Sequence, residues 1–158
     1  MSTPLAAPPL PAATLPRLVA SLGGAGFIRP APGTWGSAIV LPSVLLGPDG
    51  CLILAALLTF LGWWALERLP DARTDPGWVV IDEGAGQSLA LAALPLGTGA
   101  AGIILAFLLF RMLDITKPGP VGWADRQKGM TGVMLDDLIA GALAALLILA
   151  LRFWEVPL

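Results

Sequence analysis

Only 13% of this 158-residue chain is charged, against about 25% in an ordinary soluble domain, while 56% is apolar and the mean hydropathy is +0.82. The length is that of one domain, and a net charge of -2 without a basic run gives no surface for nucleic acid. The chain has no histidine and no tyrosine, which excludes imidazole chemistry and histidine-ligated metals and leaves Asp, Glu, Lys and Arg to do any acid–base or metal work.

In chain order, residues 1–16 (MSTPLAAPPLPAATLP) hold five prolines and no charge, and read as a disordered leader without the basic start of a signal peptide. Residues 17–37 are loop-rich after a short helical turn. A first apolar block, 38–46, contains Pro42 and ends at the turn GPDG. A second runs from Cys51 to Leu66 and extends to 50–69 with its flanks; Cys51 reads as a buried apolar thiol. After a polar link, VVIDEGAGQ (79–87) leads into SLALAAL (88–94). PLGTG (95–99) breaks the helix, and AAGIILAFLLF (100–110) resumes it. Residues 111–132 carry most of the remaining charge, and the last apolar run, 138–151, extends to 132–154.

These blocks predict an all-α, small polytopic helical membrane protein with short transmembrane helices and a broken or re-entrant pair around residues 84–110; the single domain occupies 17–158. Runs of 9 to 16 residues also suit the core of a soluble bundle, but too little polar sequence remains to cover a globule. Trp35, Trp63, Trp64 and Trp154 flank the blocks, where side chains at a membrane–water boundary belong. Arg17 and Arg29, then Arg68 and Arg73, then Arg111, Lys117, Arg126 and Lys128 form three basic stretches that the positive-inside rule assigns to the cytoplasm. That assignment requires 84–110 to enter and return, and it brings Asp82-Glu83 and Asp136-Asp137 to one membrane face.

Repelling carboxylates at the rim of a low-dielectric region are costly unless a cation neutralises them. Asp82, Glu83, Asp136 and Asp137 form a hard-oxygen set suited to Mg²⁺ or Mn²⁺; the bland alternative is acid at helix N-termini in the headgroup layer. Arg111, Asp114 and Lys117, spaced by three, share one side of a helix that Pro118 ends, as an ion-pair ladder or as a phosphate pocket. Gly33, Thr34 and Ser37 in APGTWGS precede an apolar helix, as a cap or as backbone donors for an anion.

PGTWGS, VVIDEGAGQ, FRMLDITKPGPVGWADR and GVMLDDLIAG, in that order over roughly residues 24 to 150, resemble the phosphatidylglycerophosphatase A family. The resemblance implies a Mg²⁺-dependent bacterial inner-membrane enzyme converting phosphatidylglycerophosphate to phosphatidylglycerol. It implies functional roles for Asp82, Glu83, Asp114, Asp136 and Asp137, a metal held by Asp82, Glu83, Asp136 and Asp137, and a site facing the cytoplasm. Lys117, Asp125 and Arg126 match its KP and DR steps and are expected at the phosphate, with Gly33, Thr34 and Ser37 contributing donors. Gly119 replaces the aromatic residue usual after KP, and Met130 follows Gly129 where a Gly-Gly pair is usual. The expected partners are the lipid substrate and the membrane, with no nucleic acid; self-association is open. A small ion-coupled transporter using the same acids is the rival reading.

Overall fold

The computed structural model describes residues 14–154. Seven α-helices account for most of it: α1 Thr14–Ala20, α2 Pro32–Ile39, α3 Gly47–Arg68, α4 Ile81–Leu91, α5 Ala100–Thr116, α6 Pro120–Asp125 and α7 Met130–Phe153. Short 3₁₀ turns cover Ala25–Phe27, Leu41–Leu46 and Pro70–Thr74, and no strand occurs among the described residues. The fold is that of an all-helical membrane protein.

Two helical stretches, Pro32–Arg68 and Met130–Phe153, are long and apolar enough to cross a membrane. At 1.5 Å per residue, α3 and α7 run about 33 and 36 Å, against roughly 30 Å of hydrocarbon. Their outer faces are apolar: Ile53 and Phe60 on α3 are each 69% exposed, and Leu146 on α7 is 61% exposed. Ile104 and Leu108 on α5 continue this surface. Apolar residues exposed at helical spacing on several helices would be an aggregation hazard in water and are ordinary against lipid.

Chain direction follows from which ends meet. The start of α2 and the start of α4 lie together, because Gly33 abuts the Glu83 carboxylate. Glu83 also lies near Arg111 toward the end of α5, so α4 and α5 run antiparallel. At the far end, Gly47 touches Leu96, and the Arg152 guanidinium donates to the Ala93 carbonyl at 2.8 Å. The molecule is therefore two out-and-back helical passages, 32–68 and 81–116, followed by α7. The PLGTG break sits where the second passage turns.

α4 is the centre. It packs on α3, α7, α2 and α5, and nine of its eleven residues are buried. Its small residues explain the placement: a Cβ on Gly86 would lie 2.4 Å from the Asp137 carbonyl oxygen, and one on Gly141 would lie 2.3 Å from the Gly86 carbonyl oxygen. Only glycine at both positions lets the α4 and α7 backbones approach so closely. Phe110, Val121, Ala140 and Ala144 complete the packing between α5, α6 and α7.

Three local expectations change. PGTWGS is itself helical, as α2, rather than a loop before a helix; Pro32 at its first turn sets φ and needs no amide partner. The block 38–46 is not one helix: α2 ends at Ile39, and Pro42 lies in a 3₁₀ turn that joins it to α3. The expected leader lies outside the described residues except for 14–16, and these open α1, where Pro16 falls in the tolerated first turn.

Candidate functional site

The acidic residues of α4 and α7 converge. One ligand oxygen each from Asp82, Glu83 and Asp137 lies within 4.8 Å of the other two. Asp82 and Asp137 are buried, at 3% and 4% exposure, and Glu83 is half-buried. Asp82 and Glu83 occupy the first turn of α4, where the helix dipole favours negative charge. The Glu83 amide donates to the Asp82 carboxylate at 3.1 Å, and the Asp137 amide donates to Asp136 at 3.0 Å.

Glu83 Oε2 and Asp137 Oδ1 are buried without a hydrogen-bond partner. The same is true of both amide atoms of Gln87, one turn beyond Glu83. Orphaned carboxylate oxygens in a low-dielectric core cost several kcal/mol unless something positive meets them. Oxygens bound to one Mg²⁺ stand about 3–4 Å apart, so side-chain shifts on the order of an ångström bring this triad to ligand spacing. The donor set is all oxygen, as a hard divalent cation requires.

Asp136 lies outside this triad. It is bound to Lys117 Nζ at 2.8 Å, and Lys117 also pairs with Asp125. Consecutive helical residues point about 100° apart, so Asp136 and Asp137 serve different neighbours. Burial pulls the Lys117 ammonium toward neutrality, but its bonds to Asp125 and Asp136 outweigh that and hold its pKa above the ordinary lysine range. Lys117 is thus a fixed cation bridging two carboxylates.

The cation beside the triad is Arg111. Its guanidinium pairs with Asp114 at 2.5 Å and donates to Ser37 Oγ at 3.4 Å, and Ser37 donates to the Gly33 carbonyl at 2.9 Å. A Cβ on Gly33 would lie 2.1 Å from Glu83 Oε1 and 3.3 Å from Arg111 Nη1. Gly33 therefore leaves room for the Glu83 carboxylate and the Arg111 guanidinium to come together, and PGTWGS contributes packing rather than an open anion nest. The Thr34 amide is taken by the Ala31 carbonyl at 3.1 Å. Arg126 is exposed.

Of the residues expected from sequence, the fold thus groups Asp82, Glu83, Asp114, Asp137, Gly33 and Ser37 at one centre and Lys117, Asp125 and Asp136 beside it. Arg111 was visible as a rung of a charge ladder or as one cation of a phosphate pocket, two readings the sequence left open. The Gly86/Gly141 contact was visible only as small residues in two helices. Asp75, at the C-cap of the Pro70–Thr74 turn and close to Asp82 and Asp136, carried no sequence signal at all.

An all-helical membrane protein with a buried carboxylate triad, a paired arginine and no histidine defines a class: integral-membrane enzymes whose chemistry rests on acids. Residues 18–152 match the phosphatidylglycerophosphatase A family, and the chain belongs to that family. It is accordingly a phosphatase. Phosphatidylglycerophosphatase A of Haemophilus influenzae is 37% identical over 140 residues, covering 83% of this chain and 85% of that one. Its namesake in Escherichia coli is 33% identical over 129 residues, covering 77% and 74%. A Bacteroides thetaiotaomicron protein described as a putative phosphatidylinositol-3-phosphatase is 38% identical over 150 residues, covering 88% and 94%. No solved structure matches the chain.

Proposed function

We propose that this enzyme hydrolyses the terminal phosphomonoester of phosphatidylglycerophosphate, giving phosphatidylglycerol and inorganic phosphate, at the cytoplasmic face of the bacterial inner membrane and with Mg²⁺. The observation that carries the reading is the convergence of Asp82, Glu83 and Asp137 on one point, with buried oxygens left unpartnered. The basic residues gathered at the site's end of the molecule, Arg17, Arg68, Arg111, Lys117 and Lys128, support the cytoplasmic orientation.

Asp82, Glu83 and Asp137 would hold the cation, which when bound neutralises phosphate oxygens and acidifies water. Arg111, fixed by Asp114 and Ser37, offers a guanidinium to the phosphoryl oxygens. A water oxygen attacks phosphorus as the phosphorus–glycerol oxygen bond breaks. Asp114, the carboxylate beside the triad but outside it, accepts the water proton. The departing glycerol oxygen takes its proton from interfacial water, and Asp114 later returns its own to solvent. Phosphoryl transfer depends chiefly on positioning and charge, so few groups suffice.

The test is phosphate release from phosphatidylglycerophosphate in detergent micelles with Mg²⁺, repeated with EDTA and with phosphatidylinositol 3-phosphate. Release from the first lipid that EDTA stops and Mg²⁺ restores is the expected result. Release from the inositol lipid in preference would transfer the reading to the substrate named for the Bacteroides relative. Release from neither would overturn it.

A further inference from the structure

A polar cleft of about 410 Å³ opens beside the triad, walled by Thr74, Asp75, Asp125, Lys128, Gly129 and Asp136 among others. Four of its nine lining residues are Asp or Lys, in a chain that is 13% charged. An apolar lipid face has no use for such a wall, and a polar ligand does. The cleft adjoins the reaction centre: Asp75 and Asp136 in its wall lie close to Asp82, and Asp136 precedes Asp137 in the chain.

We propose that this cleft is the subsite for the hydroxyl-bearing spacer of the phospholipid headgroup, with Asp75 accepting its hydroxyl and Lys128 meeting the phosphodiester anion at the rim; this rests on the lipid phosphatase reading above. A phosphomonoester seated between the triad and Arg111 must run its remaining headgroup outward, and the cleft is the opening with charged walls nearest Asp82. Its three carboxylates are not equivalent. Asp125 and Asp136 are both committed to Lys117, whereas Asp75, exposed at the cleft wall, feels the Lys117 charge but takes no hydrogen bond from a described residue. A free carboxylate accepts a hydroxyl proton and repels a phosphate, so it favours a neutral polyol at that point and keeps the phosphomonoester on the triad. Asp75 is also one of four non-glycine residues in the left-handed region among the described residues, at φ 53°, where Asp is better tolerated than most. The turn that holds it is fastened by Thr74 Oγ1 donating to the Asp71 carbonyl at 3.1 Å.

The experiment measures formation of phosphatidylglycerol in micelles with Mg²⁺, inhibited either by inorganic phosphate or by glycerol phosphate, the headgroup fragment that carries the hydroxyls. Wild type is expected to bind glycerol phosphate about tenfold more tightly than inorganic phosphate, the size of one hydrogen bond to a charged acceptor. Asp75→Gly, which removes the carboxylate and accepts the left-handed backbone, should bring that ratio to about one. Asp75→Asn should restore part of it. Loss of charge alone moves both inhibitors together and leaves the ratio unchanged. Lys128→Gln should raise the KM for lipid about threefold and leave the ratio untouched, because glycerol phosphate has no phosphodiester. A ratio near one in wild type, or an unchanged ratio in Asp75→Gly, would overturn the subsite while leaving the enzyme's activity assigned. No phosphatidylglycerol from wild type would overturn the parent reading and this one with it.

Discussion

Asp137 has one carboxylate oxygen with no partner, and Glu83 has one as well. Their neutral amide counterparts hold a divalent cation far more weakly, so Asp137→Asn and Glu83→Gln should each lower phosphate release by on the order of 10²–10³, the scale of losing one preorganised electrostatic group. Far-UV circular dichroism of both variants should match wild type, because neither carboxylate secures the fold. Gly33→Ala makes a subtler probe. Its methyl would intrude on the end of the Glu83 side chain, which can swing away. Melting temperature should hardly move, while the Mg²⁺ concentration giving half-maximal release should rise by roughly tenfold, as for other residues that orient a ligand. At this scale much of the site was legible. Adjacent acids at the edges of apolar runs have few structural excuses, and without histidine or tyrosine they were the available chemistry. The partition between Asp136 and Asp137 was not legible, because it depends on Lys117 arriving from another helix. Arg111 was undervalued for the same reason: its partners at Ser37 and Gly33 lie more than 70 residues away in sequence.

At the centre of the molecule, α4 is too short for a membrane span. At 11 residues it reaches about 17 Å, roughly half the hydrocarbon thickness, yet it is nearly all buried. Such a helix carries acids into the molecule without exposing them to lipid. What holds it is backbone contact with α7 through Gly86 and Gly141. Gly86→Val should therefore be more damaging than a surface change, forcing the helices apart against rigid backbone at a cost of about 1–3 kcal/mol. A lower melting temperature in detergent and lost phosphate release are expected together; full activity would show that the spacing of α4 and α7 does not matter. Periodicity and proline and glycine punctuation revealed α3, α5, α7 and the break at 95–99. They did not reveal α2, because Gly33 and Gly36 lower helix propensity by nearly 1 kcal/mol each. Tertiary contact reverses that: a Cβ at 36 would meet Val80 at 2.6 Å, so the glycines serve α4 rather than α2 itself.

For the molecule as a whole, the two out-and-back passages put the residue 68–80 and 111–132 links at the site's end, and 92–99 at the other. Hypothetical membrane sidedness follows from the basic links. In a Cys51→Ala background, Gly77→Cys should react with an impermeant maleimide only from the cytoplasmic side, and Leu96→Cys, whose parent side chain is 79% exposed, only from the opposite side. Labelling of both from one side would refute the arrangement. Cys51 itself sits buried against Ser43 at 3.7 Å, remote from the acids, so its replacement should leave activity intact. Family membership favours a hydrolase over an ion-coupled carrier, since the same interfacial acids served both readings in sequence.

A divalent cation held jointly by α4 and α7 is the centre of the proposed chemistry, and metal binding read without turnover tests it most directly. Titration of the detergent-solubilised protein with Mn²⁺, followed by electron paramagnetic resonance, should show binding that Mg²⁺ displaces, that Asp137→Asn or Asp82→Asn each weakens by at least tenfold, and that Asp136→Asn alters far less. Equal Mn²⁺ binding by wild type, Asp82→Asn and Asp137→Asn would contradict it.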